Sequence, residues 1–270
     1  YSPINELLAL SSNIVYVRQP NQGLGQARNT GIALAEGSFI QFIDGDDLLL
    51  TSPYEQCLDI IRYRETDMVL FQSTDKKTAK PLADAEGPIS GTEYMTHHNL
   101  RGSVWTYLFR KEILHDLRFP KGVLHEDEAF TPQIMLRVDN LYTTKNKAYY
   151  YRKRENSIMH KRDKRWYIRR LADAEQVIYR LKDRVDYLPV KERIAMERRI
   201  AQLTMDHIYN VITMTHDETH LDHVLQRLSR HGLFPLPDKD YTTKYKWFRR
   251  MTNSSFGRKT LIMLLRVNKR

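Results

Sequence analysis

Between Phe39 and Leu50 the chain reads FIQFIDGDDLLL, an apolar run that meets Asp44, Asp46 and Asp47 around Gly45. Phe39, Ile40, Phe42 and Ile43 are β-branched or aromatic and predict a buried strand. Carboxylates at the exit of such a strand suit either of two jobs. Asp-Gly supplies the polar, flexible residues of a turn. Asp-x-Asp on a rigid strand end supplies hard oxygen ligands for a divalent cation. Upstream, Gly23 and Gly25 precede a helix that carries Arg28 and Asn29 on its first turns. Together these residues suit a diphosphate: the helix end and Arg28 attract the anion, and a cation bridges aspartate to phosphate. A second acidic run, His125-Glu126-Asp127-Glu128, fits the first turn of a helix, where the dipole favours anions. A D-x-D alone arises by chance about once in a chain of this size. The ordered block from Asn21 to Asp47 is much harder to produce by coincidence.

The elements that must carry these residues alternate in the first half. Strands are expected at Asn13 to Arg18, Phe39 to Asp44 and Met68 to Gln72, and helices at Gly25 to Ala35 and Pro53 to Arg64. That rhythm predicts an α/β sheet with crossover helices. Ser73 to Ser90 reads as an exposed connection. Residues 104–137 read as mainly helical around a break at Phe119-Pro120, and Lys147 to Arg152 as a further strand. From about Arg162 the strand signals stop. Arg162 to Arg184 and Val190 to Thr215 space their apolar residues as helices do.

The charge follows this division. The chain of 270 residues carries a net +10, yet residues 161–270 hold 25 Lys/Arg against 13 Asp/Glu, leaving residues 1–160 at −2. A basic half beside a near-neutral half suggests chemistry in one and an anionic surface for the other. The single cysteine, Cys57, permits no internal disulfide and points to a reducing compartment. No apolar run approaches the length of a membrane span.

N-x-G-x-x-x-A-R-N-x-G followed by G-x-F-I-x-F-x-D-x-D-D resembles the family-2 glycosyltransferases with a GT-A fold, notably bacterial polysaccharide-building members. The likeness continues through VWTYLFRKEIL, RFPKGVLHEDEAF and YYYRKRENSI, over roughly residues 13–160. It implies a mixed α/β GT-A domain over residues 1–160 and a basic α-helical extension over 161–270. It also implies a chain without the family's opening strand and acidic loop. By the resemblance, Asp44 and Asp46 hold the nucleotide-sugar and its Mn²⁺ or Mg²⁺, with Asp46 the more direct ligand. Arg28, Arg152 and Ser157 then belong to the donor site, and Trp105 faces the acceptor. The family's E-D pair matches Glu126-Asp127, and there the aspartate is the base. An inverting transfer needs one, because the acceptor hydroxyl loses its proton as it attacks. Glu126 would orient Asp127 or bind acceptor. Tyr107 stands where the family usually has Lys, and His160 is a candidate further ligand.

The implied activity is a metal-dependent inverting transfer from a nucleotide-sugar, a UDP-sugar, to a glycan or lipid-linked acceptor. The implied location is cytoplasmic, peripheral on the inner face of the plasma membrane. Phe256 to Arg270, with apolar residues flanked by cations, suits an anionic lipid surface. The competing expectations are a nucleic-acid-binding basic half and an inactive fragment. Against the first, the basic half shows no nucleic-acid motif, so no nucleic-acid partner is expected.

Overall fold

The computed structural model of the chain describes residues 6, 9, 11–153 and 164–267. Ser157 and His160 lie outside them. The sheet strands are β1 (Phe39–Gln41), β2 (Leu48–Leu49), β3 (Met68–Thr74), β4 (Glu86–Ile89), β5 (Tyr107–Arg110) and β6 (Leu141–Tyr150). Among the described residues they form one sheet in the order β1-β5-β3-β6-β2, with β4 also pairing β6. β3 and β6 run parallel at its centre and the other pairings are antiparallel. β3 opens with buried Met68 and Val69, because an interior strand is covered on both faces. The first-half helices are α1 (Leu24–Leu34), α2 (Thr51–Tyr63), α3 (Gly91–His97) and α4 (Glu126–Met135).

The second half is helical: α5 (Lys164–Val185), α6 (Val190–Thr215), α7 (Glu218–Arg230), α8 (Thr243–Thr252) and α9 (Ser255–Val267). Ile200, Ile208, Val211 and Ile212 of α6 pack with Val177, Leu181, Leu221 and Leu228 in one apolar cluster. Buried arginines tie this half to the first. Arg198 donates to Thr96 O at 3.1 Å, while Arg199 donates to Leu100 O and pairs with Glu128 of α4.

Four local expectations need correction. Asn13 to Arg18 forms no strand, with Val15 70% exposed, because no described strand lies beside it. The strand expected to reach Asp44 stops at Gln41. There β5 gives way to a 3₁₀ turn (Val104–Thr106), and the Gln41 amide takes over by donating to Trp105 O. Residues 104–137 are only partly helical, since Tyr107 to Arg110 is a strand paired with both β1 and β3. A short apolar run buried on both sides has no period by which helix and strand could be told apart. Finally, Glu86–Ile89 within the expected connection pairs with β6, which itself begins at Leu141.

Candidate active site

Gly23, at φ +89, opens α1 without a side-chain cap. Gly25 lets this helix lie against the loop before α4, since a Cβ there would stand 2.9 Å from Pro120 O and 3.2 Å from Cγ of Glu126. Asn29 then fixes the contact. Its amide donates to Phe119 O at 2.9 Å and accepts from Phe119 N–H at 2.8 Å. Both bonds match a strand-like pairing, which gives the side chain a backbone role.

Helix and loop so joined, Arg28 is held at 7% exposure between two acidic elements. One arm donates to Oε1 of Glu126 at 2.7 Å and the other to Oδ1 of Asp44 at 3.0 Å. Its guanidinium also lies 5.5 Å from the Phe119 ring centre and 5.8 Å from that of Phe42. Two carboxylates far apart in sequence thus share one planar fork, a geometry that arginine supplies and lysine does not. The expected donor contact of Arg28 is therefore preceded by an internal task. It brings the acidic turn and the first turn of α4 to one place.

The turn after β1 is fastened from behind. Asp44 N–H donates to the Tyr149 hydroxyl at 3.1 Å, and that hydroxyl donates to Oδ2 of Asp47 at 2.8 Å. Arg152 N–H donates to the other oxygen of Asp47, also at 2.8 Å. Burial first, and Asp47 beside it, push the Tyr149 hydroxyl's pKa up, so it remains a donor. The three aspartates consequently do different work. Asp47 is buried scaffold, Asp44 faces Arg28, and Asp46 stands half-exposed at the tip. The arginine side chain of residue 152 is exposed, and its backbone alone enters this network. Trp105 reaches the same edge by stacking on Tyr149 and Tyr151, with centroids 4.4 and 5.8 Å away. Tyr107 is buried and donates to Arg101 O at 2.6 Å, which makes it a core residue.

α4 begins at His125 in the left-handed region, φ 64, a conformation that non-glycine residues adopt under constraint from their surroundings. Burial and then the Arg170 guanidinium lower the His125 pKa. Glu126 is committed to Arg28. Asp127 has no such partner: its Oδ1 accepts only the Glu128 N–H, at 2.9 Å, among the described residues. Burial, then Glu128, then Glu126 push its pKa up to about 7, against the opposing pull of Arg28. A carboxylate so placed can take a proton near neutral pH. Glu128 is held aside by Arg199, and a Cβ at Gly102 would sit 2.4 Å from its carboxyl group. Nothing in the sequence distinguished Arg199 from the solvated charges of its helix. Arg199→Met is expected to strand Glu128 and to cost about 3–5 kcal/mol in urea unfolding.

The donor set fits a substrate-bridged cation better than a closed protein cage. No group of three or more His, Cys, Asp or Glu side chains among the described residues could hold a metal alone. Mg²⁺-like ions commonly take one or two carboxylates and complete the shell with substrate phosphate and water. Asp46 and Asp44 provide that number.

Comparison with known proteins follows the same lines. Residues 1–115 match the model for glycosyl transferase family 2, a span that holds Arg28 and the acidic turn and stops short of Glu126. The chain is 30% identical over 161 residues to the uncharacterized glycosyltransferase EpsJ of Bacillus subtilis, covering 54% of this chain and 47% of that protein. It is 30% identical over 181 residues to the putative glycosyltransferase EpsH of the same organism, covering 62% and 52%. The chain thus spans about half the length of the curated relatives it matches. Its backbone resembles the crystal structure of Staphylococcus aureus TarS 1–349 in complex with UDP-GlcNAc, with TM-score 0.67 and 17% identity, over 99% of this chain and 80% of that one. The sequence likeness across the acidic turn and the likeness in backbone course meet on one answer: residues 1–115 match glycosyl transferase family 2, and the chain has a GT-A fold.

Proposed function

We propose that the protein moves a sugar, with inversion, from a UDP-sugar to a glycan or lipid-linked acceptor in cell-surface polysaccharide synthesis. The observation that carries this reading is the Arg28 fork, which joins the Asp44 turn to the Glu126-Asp127 helix start. Residues 1–160 act as the catalytic domain, and the helical residues 161–270 buttress it through Arg198 and Arg199. Asp46 and Asp44 would hold Mn²⁺ or Mg²⁺, which when bound supplies positive charge to the departing diphosphate. Trp105 offers an aromatic face beside the turn for an acceptor ring, and Arg152, with Ser157 beyond the described residues, would close on donor phosphates.

Asp127 accepts the proton of the acceptor hydroxyl while that oxygen bonds to the anomeric carbon. The bond from that carbon to the diphosphate oxygen breaks, and its electron pair leaves with the diphosphate. Glu126, neutralised by Arg28, keeps the helix start in register without competing for the proton. An ionised Asp127 is therefore required, and the raised pKa sets where it becomes available. Activity, as kcat/KM, is expected to rise with pH along a limb centred near 7. A flat profile down to pH 5 would count against Asp127 as the base.

The donor assay begins with UDP-GlcNAc, the ligand seen in the TarS complex. Radiolabelled sugar should appear in membrane or wall glycan in step with UDP release, and a chelator should stop both. Release of UDP without glycan labelling would contradict the transfer.

Association with an anionic membrane is the second part of the proposal. No helix among the described residues is long and apolar enough to cross a bilayer. α9 docks by Leu261 and Ile262 yet leaves Phe256 81% and Met263 62% exposed, one residue each on turns that share a face. Trp247 is also exposed, among the cations of α8. Co-sedimentation with vesicles containing anionic lipid is expected for the wild type and reduced in Phe256→Glu/Met263→Glu. Truncation would be a poor test, since Tyr245, Phe248 and Leu261 belong to the core. Equal pelleting of both proteins would sink the membrane assignment.

A further inference from the structure

Between α5, α6 and α7, apart from the acidic turn, lies a cavity of about 900 Å³. That volume lies within the range of small-molecule sites, about 300–1,000 Å³. On one wall sits Glu175, gripped by Arg227 through Nε at 2.7 Å and Nη2 at 2.8 Å, with the Tyr179 hydroxyl donating to it as well. Burial alone would raise the Glu175 pKa, but Arg227, the nearby His207 ring and Tyr179 together outweigh it and hold the carboxylate well below its usual range.

His207, on α6, faces the same space and is only 2% exposed. Its Nε2 stands 3.6 Å from Glu175, too far for a hydrogen bond, and neither ring nitrogen has a hydrogen-bond partner. A buried polar ring without partners carries a desolvation cost that a bound polar group would relieve. A purely structural ion-pair network would be packed shut around its charges. This one borders open volume with aliphatic walls from Leu171, Val211 and Val224. Tyr179, stacked on His231 at 3.8 Å, adds an aromatic face. At the mouth, Arg230 is exposed and has no ion-pair partner among the described residues.

We propose that this cavity binds an anionic sugar unit, such as a sugar phosphate. A sugar presents hydroxyls that both donate and accept, which His207 and Glu175 can meet. Its C–H face suits the aliphatic and tyrosine walls, and its anion suits Arg230. The choice of a sugar rests on the glycosyl-transfer reading; the choice of an anion rests on Arg230 at the mouth, since Arg227 is already paired with Glu175. The unit could come from a phosphodiester-linked acceptor glycan or from a free sugar phosphate.

The test is calorimetry on the whole chain, titrated with N-acetylglucosamine 1-phosphate, with a phosphodiester-linked glycan oligomer, with neutral N-acetylglucosamine and with inorganic phosphate. Each titration is made with the active site saturated by UDP and Mn²⁺, and UDP binding is measured separately. The sugar phosphate is expected to bind at least about tenfold more tightly than the neutral sugar or phosphate. Tighter binding by the oligomer marks the acceptor as the source, and equal binding marks the free metabolite. Arg230→Glu, at the exposed mouth, and Ala172→Trp, an exposed residue of the rim, should each weaken that binding about tenfold or more and leave UDP binding unchanged. No binding by the wild type, or unchanged binding in both variants, overturns the cavity assignment. Lost UDP binding with the sugar phosphate still bound overturns the active-site reading alone.

Discussion

Asp127→Asn is expected to keep UDP-sugar and Mn²⁺ binding near wild type while transfer falls by about 10²- to 10⁴-fold, the usual worth of a general base. The substitution keeps the shape of the side chain and the acceptor for the Glu128 N–H. What it removes is the site's ability to take a proton. The same change has a second signature. Because burial, Glu128 and Glu126 raise the Asp127 pKa to about 7, the folded state resists ionising this group. The folded protein is thus favoured with Asp127 protonated, a contribution fully present below the unfolded carboxylate value and lost as pH rises through about 7. Asn cannot ionise, so the variant should gain stability relative to wild type as pH climbs through that window and gain nothing more above it. Thermal melts at pH 5 and pH 8 read this directly. A variant equally impaired in nucleotide binding, with no pH-dependent gain, would make Asp127 a donor or structural residue.

Arg28→Met carries the other large effect. Met fills a similar volume and can still lie between Phe42 and Phe119, but it leaves Asp44 and Glu126 facing each other without their cation. Breaking a buried pair from one side typically costs about 3–5 kcal/mol. Urea unfolding should report that loss, and donor binding should fall with it, because the acidic turn and the α4 start lose their common fastening. Arg28→Lys should recover little, since one ammonium cannot serve two carboxylates along a fork. If Arg28→Met kept its stability and lost only nucleotide affinity, the residue would be a donor contact and not the organiser of the site.

Much of this arrangement was legible in the residues themselves. The glycines ahead of Arg28 and the helical spacing of the second half each obey a local rule, and those helices formed where the rule applies, whereas the apolar run before Asp44 gave a strand only as far as Gln41. What escaped was set by contacts distant in sequence. Asp47 is indistinguishable from Asp44 and Asp46 until the Tyr149 hydroxyl, 102 positions away, is seen to bond it. Asn29 reads as a polar helix residue, whereas its amide binds the backbone of Phe119, 90 positions on. Arg199 sits in a helix rich in charge, and only burial against Glu128 and Leu100 separates it from its neighbours. β5 was hidden for a different reason: it has four residues, three of them buried in succession, and so shows no alternation to betray a strand.

The claim that the acidic turn holds a cation on a nucleotide diphosphate is tested most directly by calorimetric titration of UDP-GlcNAc into the natural protein and its Asp46→Ala variant, each with Mn²⁺ and with a chelator. The account predicts binding by the wild type with Mn²⁺ only, and none by Asp46→Ala under either condition, while circular dichroism shows both proteins folded. Equal affinity in the presence of the chelator, or undiminished Mn²⁺-dependent binding by Asp46→Ala, would contradict it.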